Sequence, residues 1–122
     1  MNGIEQLIPW SQPFLDEVNL RLHGELARIM KSETSVRARA LQTVERWLEQ
    51  NEYSSGACAE LELWRNQLSN ATHSELQSIM LDRSEEGVLH RSNSPFAGIL
   101  SDEKRLQILE DLEHEIELCA AA

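Results

Sequence analysis

A carboxylate and an imidazole three or four residues apart on one helix can hold a metal ion together, and Asp111 or Glu110 with His114 has that spacing. Di-iron bundles need a Glu-x-x-His copy on each of two helices, and this chain has no second copy. Both groups also fall on the polar side of the surrounding apolar pattern, so the expectation is a solvated acidic face and no metal site. His23, His73, His90 and His114 form no H-x-x-x-H spacing. His73 falls in a helix first turn, where an imidazolium is disfavoured by the helix dipole. His90, beside Arg91 and next to an apolar turn, is the histidine that stands out.

Nucleophilic chemistry has no better footing. There is no G-x-S-x-G elbow, and neither Cys58 nor Cys119 is tied by spacing to a His with Asn or Asp. The five glycines are isolated from one another, so no phosphate-cradling loop can be built. Glu85-Glu86 and Asp102-Glu103 sit at helix starts, where the dipole accounts for adjacent carboxylates. The expectation is a protein without a catalytic residue, a cofactor or a metal.

The elements that would carry these residues are helical. Over residues 35–50, Val36, Ala40, Leu41, Val44, Trp47 and Leu48 gather into one stripe at helical period, with Arg37, Arg39, Glu45, Arg46 and Glu49 opposite. A second helix is predicted over 13–31, started by Pro13 with Asp16 and Glu17 behind it, and weakened by Gly24, which marks a close helix crossing. Thr34 or Ser35 supplies the N-cap of the helix after it. A polar loop from 51 to 56 leads to a helix over 57–70. Thr72 and Glu75 have capping-box spacing ahead of Leu76, Ile79 and Met80, and Ser84 reads as another start, with Gly87 a blemish in the short helix it opens. Ser101, Asp102 and Glu103 open the last helix, over 101–119.

Nothing alternates with period two, so the expected fold is all-α: an antiparallel helical bundle of about four main helices, with a short helical insertion before the last. Residues 1–12 form an N-terminal arm, with Pro9 within it and Trp10 packed on the domain, and residues 13–122 a single domain. The expected core is Leu15, Val18, Leu22, Ile29, Leu41, Val44, Trp47, Leu48, Leu61, Trp64, Leu68, Leu106, Leu109, Leu112 and Ile116.

The functional expectation centres on residues 90–101. Ser94-Pro95 and Gly98 give this stretch turn chemistry, yet Phe96, Ile99 and Leu100 are apolar. Either those side chains cap the core, or they are offered to a partner together with Pro95, His90 and Arg91. The second option makes the protein a small helical interaction or regulatory module. A ligand pocket invisible in the sequence is the alternative. Another is an acidic surface that imitates nucleic acid and occupies a basic partner.

Charge narrows the partners. A net −10 over 122 residues disfavours nucleic acid and anionic membranes, both of which bind through Lys and Arg. The chain has no run of the roughly 18 to 20 apolar residues that a membrane span needs and no leader-like start, so a cytoplasmic location is expected. Between Arg21 and Arg46 six Lys/Arg face three Glu, a local +3 that leaves −13 elsewhere. A basic stretch and an acidic last helix can meet within one molecule or across a homodimer.

Overall fold

The computed structural model describes residues 7–8, 10–50, 52–96 and 98–121. Six helices are found among them and no strand: α1 (Gln12–Met30), α2 (Thr34–Gln50), α3 (Ser55–Asn70), α4 (His73–Met80), α5 (Glu85–Ser92) and α6 (Asp102–Ala121). The expectation of four main helices and one short insertion is corrected to six, because the insertion is two helices, each with its own cap. Thr72 and Glu75 make both bonds of a capping box on α4, at 2.8 and 3.1 Å. Ser84 Oγ accepts from Gly87 N to start α5.

The other boundaries follow local chemistry with small corrections. Ser11 caps α1 by accepting from Phe14 N, and Pro13 sits in the first turn. Asp16 and Glu17 lie beyond that turn; Glu17 binds Arg21 and Arg83 instead. Thr34 is the first residue of α2, so neither it nor Ser35 caps from outside. The 51–56 loop is shorter than expected, because Ser54 caps α3 and Gly56 is already helical. Ser101 Oγ accepts from Lys104 N at the start of α6.

The hub of the fold is α1, which packs against α2, α4, α5 and α6. The main core joins Leu26, Ala27 and Met30 of α1 to Val36, Ala40 and Val44 of α2, Leu61, Trp64 and Leu68 of α3, and Leu76 and Met80 of α4. A smaller cluster of Phe14, Leu112 and Ile116 fixes α6 to the start of α1. Two core expectations are corrected. Leu15 and Leu106 are 41% and 55% exposed, on helix faces turned away from their neighbours, although α6 stays beside α1 as far as Lys104, 3.7 Å from Glu25. Of the N-terminal arm, residues 1–6 and Pro9 lie outside the described residues; Trp10 contacts Phe14, ring centroids 5.5 Å apart, yet stays largely exposed.

Two glycines differ in meaning. A Cβ on Gly24 would sit 3.6 Å from Leu81, an ordinary contact, so that helix crossing does not require glycine. A Cβ on Gly87 would sit 2.1 Å from the Asp82 carbonyl oxygen. The backbone of α5 therefore rests directly on the turn before it, and the apparent blemish is a packing requirement. Among the described residues the acidic and basic stretches meet where Arg21 of α1 grips Glu115 of α6 with two guanidinium nitrogens, the longer bond 3.0 Å.

Candidate functional site

Glu60, Trp64 and Gln67 stand at i, i+4 and i+7 on α3, so they share one face. That face holds His90 of α5. The imidazole lies flat on the Trp64 indole, centroids 3.9 Å apart and planes 8° from parallel. Its Nδ1 is 2.9 Å from Glu60 Oε1 and its Nε2 is 2.6 Å from Gln67 Oε1. Trp64 Nε1 donates to the His90 carbonyl at 2.8 Å, so backbone and side chain of His90 are both fixed to α3.

Burial is the main influence on this imidazole and lowers its pKa, against the opposing pull of Glu60. A neutral ring keeps its proton on Nδ1 for the carboxylate and takes an N–H from the Gln67 amide. That N–H comes from a half-turn of the amide, whereas a charged ring donates to the Gln67 oxygen where it stands. Glu60 and Gln67 thus satisfy the ring in either state.

Next along α5, Arg91 is 4% exposed. Its Nη1 donates to the carbonyls of Met80 and Asp82, which anchors α5 to the end of α4. No carboxylate lies within ion-pair distance of it among the described residues. Beyond Arg91, His23 of α1 is 3% exposed, with Phe96 edge-on at 5.8 Å and Trp64 at 6.3 Å. His23 Nδ1 donates to the Asn19 carbonyl at 2.8 Å. Burial, with smaller contributions from Arg91 and His90, brings its pKa down to about 4. The ring is neutral at pH 7, and its Nε2 is a buried acceptor without a hydrogen-bond partner among the described residues.

Two cavities flank this junction. One, about 260 Å³, is lined by Leu63, Ile79, Leu89 and His90, with Glu60, Asp82 and Glu86 around it. Leu63 and Leu89 are 45% and 54% exposed there. The other, about 220 Å³, lies between α1, α5 and the start of α6, lined by His23, Arg91, Phe96 and Arg105 among others. Successive residues of α5 therefore serve opposite cavities, His90 the acidic one and Arg91 the basic one.

The residues singled out in the sequence are brought together, but inward. Pro95, Phe96, Leu100, His90 and Arg91 are buried and Ile99 is half-buried against the core, so they form a cap over it and not an exposed patch. Sequence reading missed Glu60, Gln67, His23, Leu63 and Leu89. The signal for the first two was present, since a polar residue one turn on either side of a buried Trp is placed to meet its neighbours. Glu110, Asp111 and His114 are exposed on α6, and no group of three or more His, Cys, Asp or Glu suited to a metal occurs among the described residues. No family model matches the chain, and no curated protein or solved structure matches it either.

Proposed function

We propose that this protein is a non-catalytic recognition module, whose docking surface is the acid-rimmed groove between α3, α4 and α5. The observation that carries the reading is the pair Leu63 and Leu89, both largely exposed on one cavity whose other side chains include Glu60, Asp82 and Glu86. An apolar floor with a carboxylate rim suits a basic segment with an apolar face from a partner protein. Glu60 and His90, the groups nearest to acid–base chemistry, are occupied with each other and with Gln67, which favours a structural role over catalysis. The acidic balance favours a protein partner over nucleic acid or a membrane surface, and we take that partner to be a cytoplasmic one. No helix among the described residues is long and apolar enough to cross a membrane. Within an antiparallel bundle, as we read the all-helical fold, Leu63 of α3 and Leu89 of α5 stay exposed along this groove.

The test is capture from a lysate of the native host with wild type, Leu89→Glu and the remote Arg39→Glu. A partner crosslinked through a Lys/Arg-rich segment, retained by wild type and Arg39→Glu and lost by Leu89→Glu, is the expected result. Identical retention by all three contradicts the groove. Light scattering reports the remaining occupant, a second copy using exposed Arg39, Arg46 and Arg65; a dimer broken by Arg39→Glu would replace the proposed partner with the chain itself.

A further inference from the structure

Two polar side chains in the wall of the groove are shared with a buried ring. Glu60 spends Oε1 on His90 Nδ1 at 2.9 Å, and its Oε2 has no hydrogen-bond partner among the described residues. The Glu60 side chain is 21% exposed and that of His90 only 6%, so the carboxylate joins the interior to the groove. Gln67 is shared in the same way: its amide meets His90 Nε2 at 2.6 Å, and the residue also lines the groove. The proton count of the ring decides which half of that amide is used. A neutral ring, with its proton on Nδ1, takes an N–H and leaves the amide oxygen free; a charged ring takes the oxygen and leaves the NH₂.

Resting on the reading of this groove as a docking surface, we infer that a proton on His90 and a cationic side chain of the docked partner compete for Glu60 and Gln67. The groove grips its partner while the ring is neutral and loosens when the ring is charged. With the ring neutral, Glu60 keeps its full negative charge and Gln67 has a free acceptor, and a lysine ammonium, which only donates, can use both. With the ring charged, the imidazolium offsets Glu60 at contact distance, and Gln67 is left with donors that an ammonium cannot use. Both changes have the same sign. Trp64 lies flat on the ring, centroids 3.9 Å apart, and an aromatic face attracts a cation, so the ring keeps its seat in either state. The other charged or titratable groups around it are Arg91 beside it on α5, His23 on α1, and Asp82 and Glu86 on the groove, while α4 adds only Ile79 to the wall. Burial holds the ring below the ordinary His value, so the gripping form is the one present at pH 7. Affinity is then full above the folded pKa of His90 and is lost as the pH falls through it, below about 6.5; by reciprocity a docked partner lowers that pKa further.

The probe is a helical peptide with leucines on one face and lysines beside them, titrated into the full chain between pH 7.5 and 5 while the His90 ring ¹⁵N shifts are followed in the free and the saturated protein. Lysine keeps its charge over that range. Expected is a loss of affinity of about threefold to tenfold as the ring becomes charged, and a His90 pKa displaced downward in the saturated protein by the logarithm of the same factor. Glu86→Gln removes a rim carboxylate that has no bond to the ring, and should weaken binding by the same factor at every pH while keeping the displacement. His90→Gln should flatten the pH dependence; if that variant does not fold, the displaced pKa in wild type decides alone. An affinity that is flat through the ring's titration, a His90 pKa unmoved by saturating peptide, or a ring that stays neutral in the folded protein down to pH 5 would each overturn the competition and leave the groove standing. Absence of saturable binding at pH 7.5 would overturn the groove, and the competition with it.

Discussion

Single residues decide how tightly α5 is held. Gly87 leaves no room for a methyl group over the Asp82 carbonyl, so Gly87→Ala should cost at least about 2 kcal/mol in urea unfolding. Gly56→Ala is the matched control. Nothing lies within 4 Å of a Cβ there, and the change should be neutral or stabilise α3 by up to about 1 kcal/mol. Phe96 is 4% exposed against Trp64 and His23, and Phe96→Ala should lose about 3–5 kcal/mol in the same measurement. An unchanged stability would return Phe96 to the surface role that the turn chemistry around it suggested.

Proton linkage at the residue scale has a definite sign. His23 has a folded pKa of about 4, below its unfolded value near 6.5, so the unfolded chain binds more protons between those values. Stability is then full above pH 6.5 and falls as the pH drops toward 4, by on the order of 3 kcal/mol for this buried group. His90 is lowered too and acts in the same direction. Denaturant melts of wild type between pH 7.5 and 5 should show the loss, and His23→Leu should flatten it. A wild-type profile that is flat over that range would contradict the buried neutral imidazole. Neither histidine was legible as a core residue in the sequence, because a His on a mixed face carries no periodic signal. Only the aromatic neighbours, Trp64 and Phe96, mark the place.

At the scale of elements, the clearest sequence signals were local. Thr72 with Glu75, and Ser101 ahead of Asp102, announce helix starts through side chains that bond within three residues, and both bonds are made. The start of α5 at Ser84 was legible in the same way, but the fit of Gly87 onto the Asp82 carbonyl depends on how the chain turns between α4 and α5 and cannot be read from spacing. Leu106 illustrates the opposite failure. It keeps helical register with Leu109 and Leu112 yet stays exposed while Lys104, two residues before it, reaches Glu25 of α1, and periodicity cannot tell which edge of an apolar stripe a neighbour covers. One clamp that holds α6 is Arg21 on Glu115, partly exposed to solvent, with Lys104 on Glu25 nearer its start. Arg21→Ala should cost about 1 kcal/mol, less at high salt, and should speed amide exchange in the second half of α6 before any other helix. Uniform acceleration across all helices would mean that α6 does not open separately.

Over the whole molecule, apolar content and direction have to be kept apart. The stretch from Pro95 to Leu100 is conspicuous because it is apolar within a turn, and the fold uses it to close the core. Leu63 and Leu89 look ordinary in the sequence, one off the stripe of its helix and one in a brief segment, and they are the leucines left facing solvent on a shared cavity. Which surface remains uncovered depends on how all six helices pack together, beyond the reach of any single helix pattern. With α5 fixed through His90 and Arg91, its two sides carry opposite charge: carboxylates around Leu63 and Leu89, guanidiniums around His23. The acidic side is the one with exposed hydrophobic surface to offer a protein.

The most direct measurement is a ¹H–¹⁵N titration of wild type and Leu89→Glu with a helical peptide that presents leucines on one face and lysines beside them. Saturable shifts confined to the amides around Leu63, Ile79 and Leu89, weakened by salt and absent in a folded Leu89→Glu protein, are the expected result. Shifts scattered over the surface, or unchanged by Leu89→Glu, would contradict a docking groove between α3, α4 and α5.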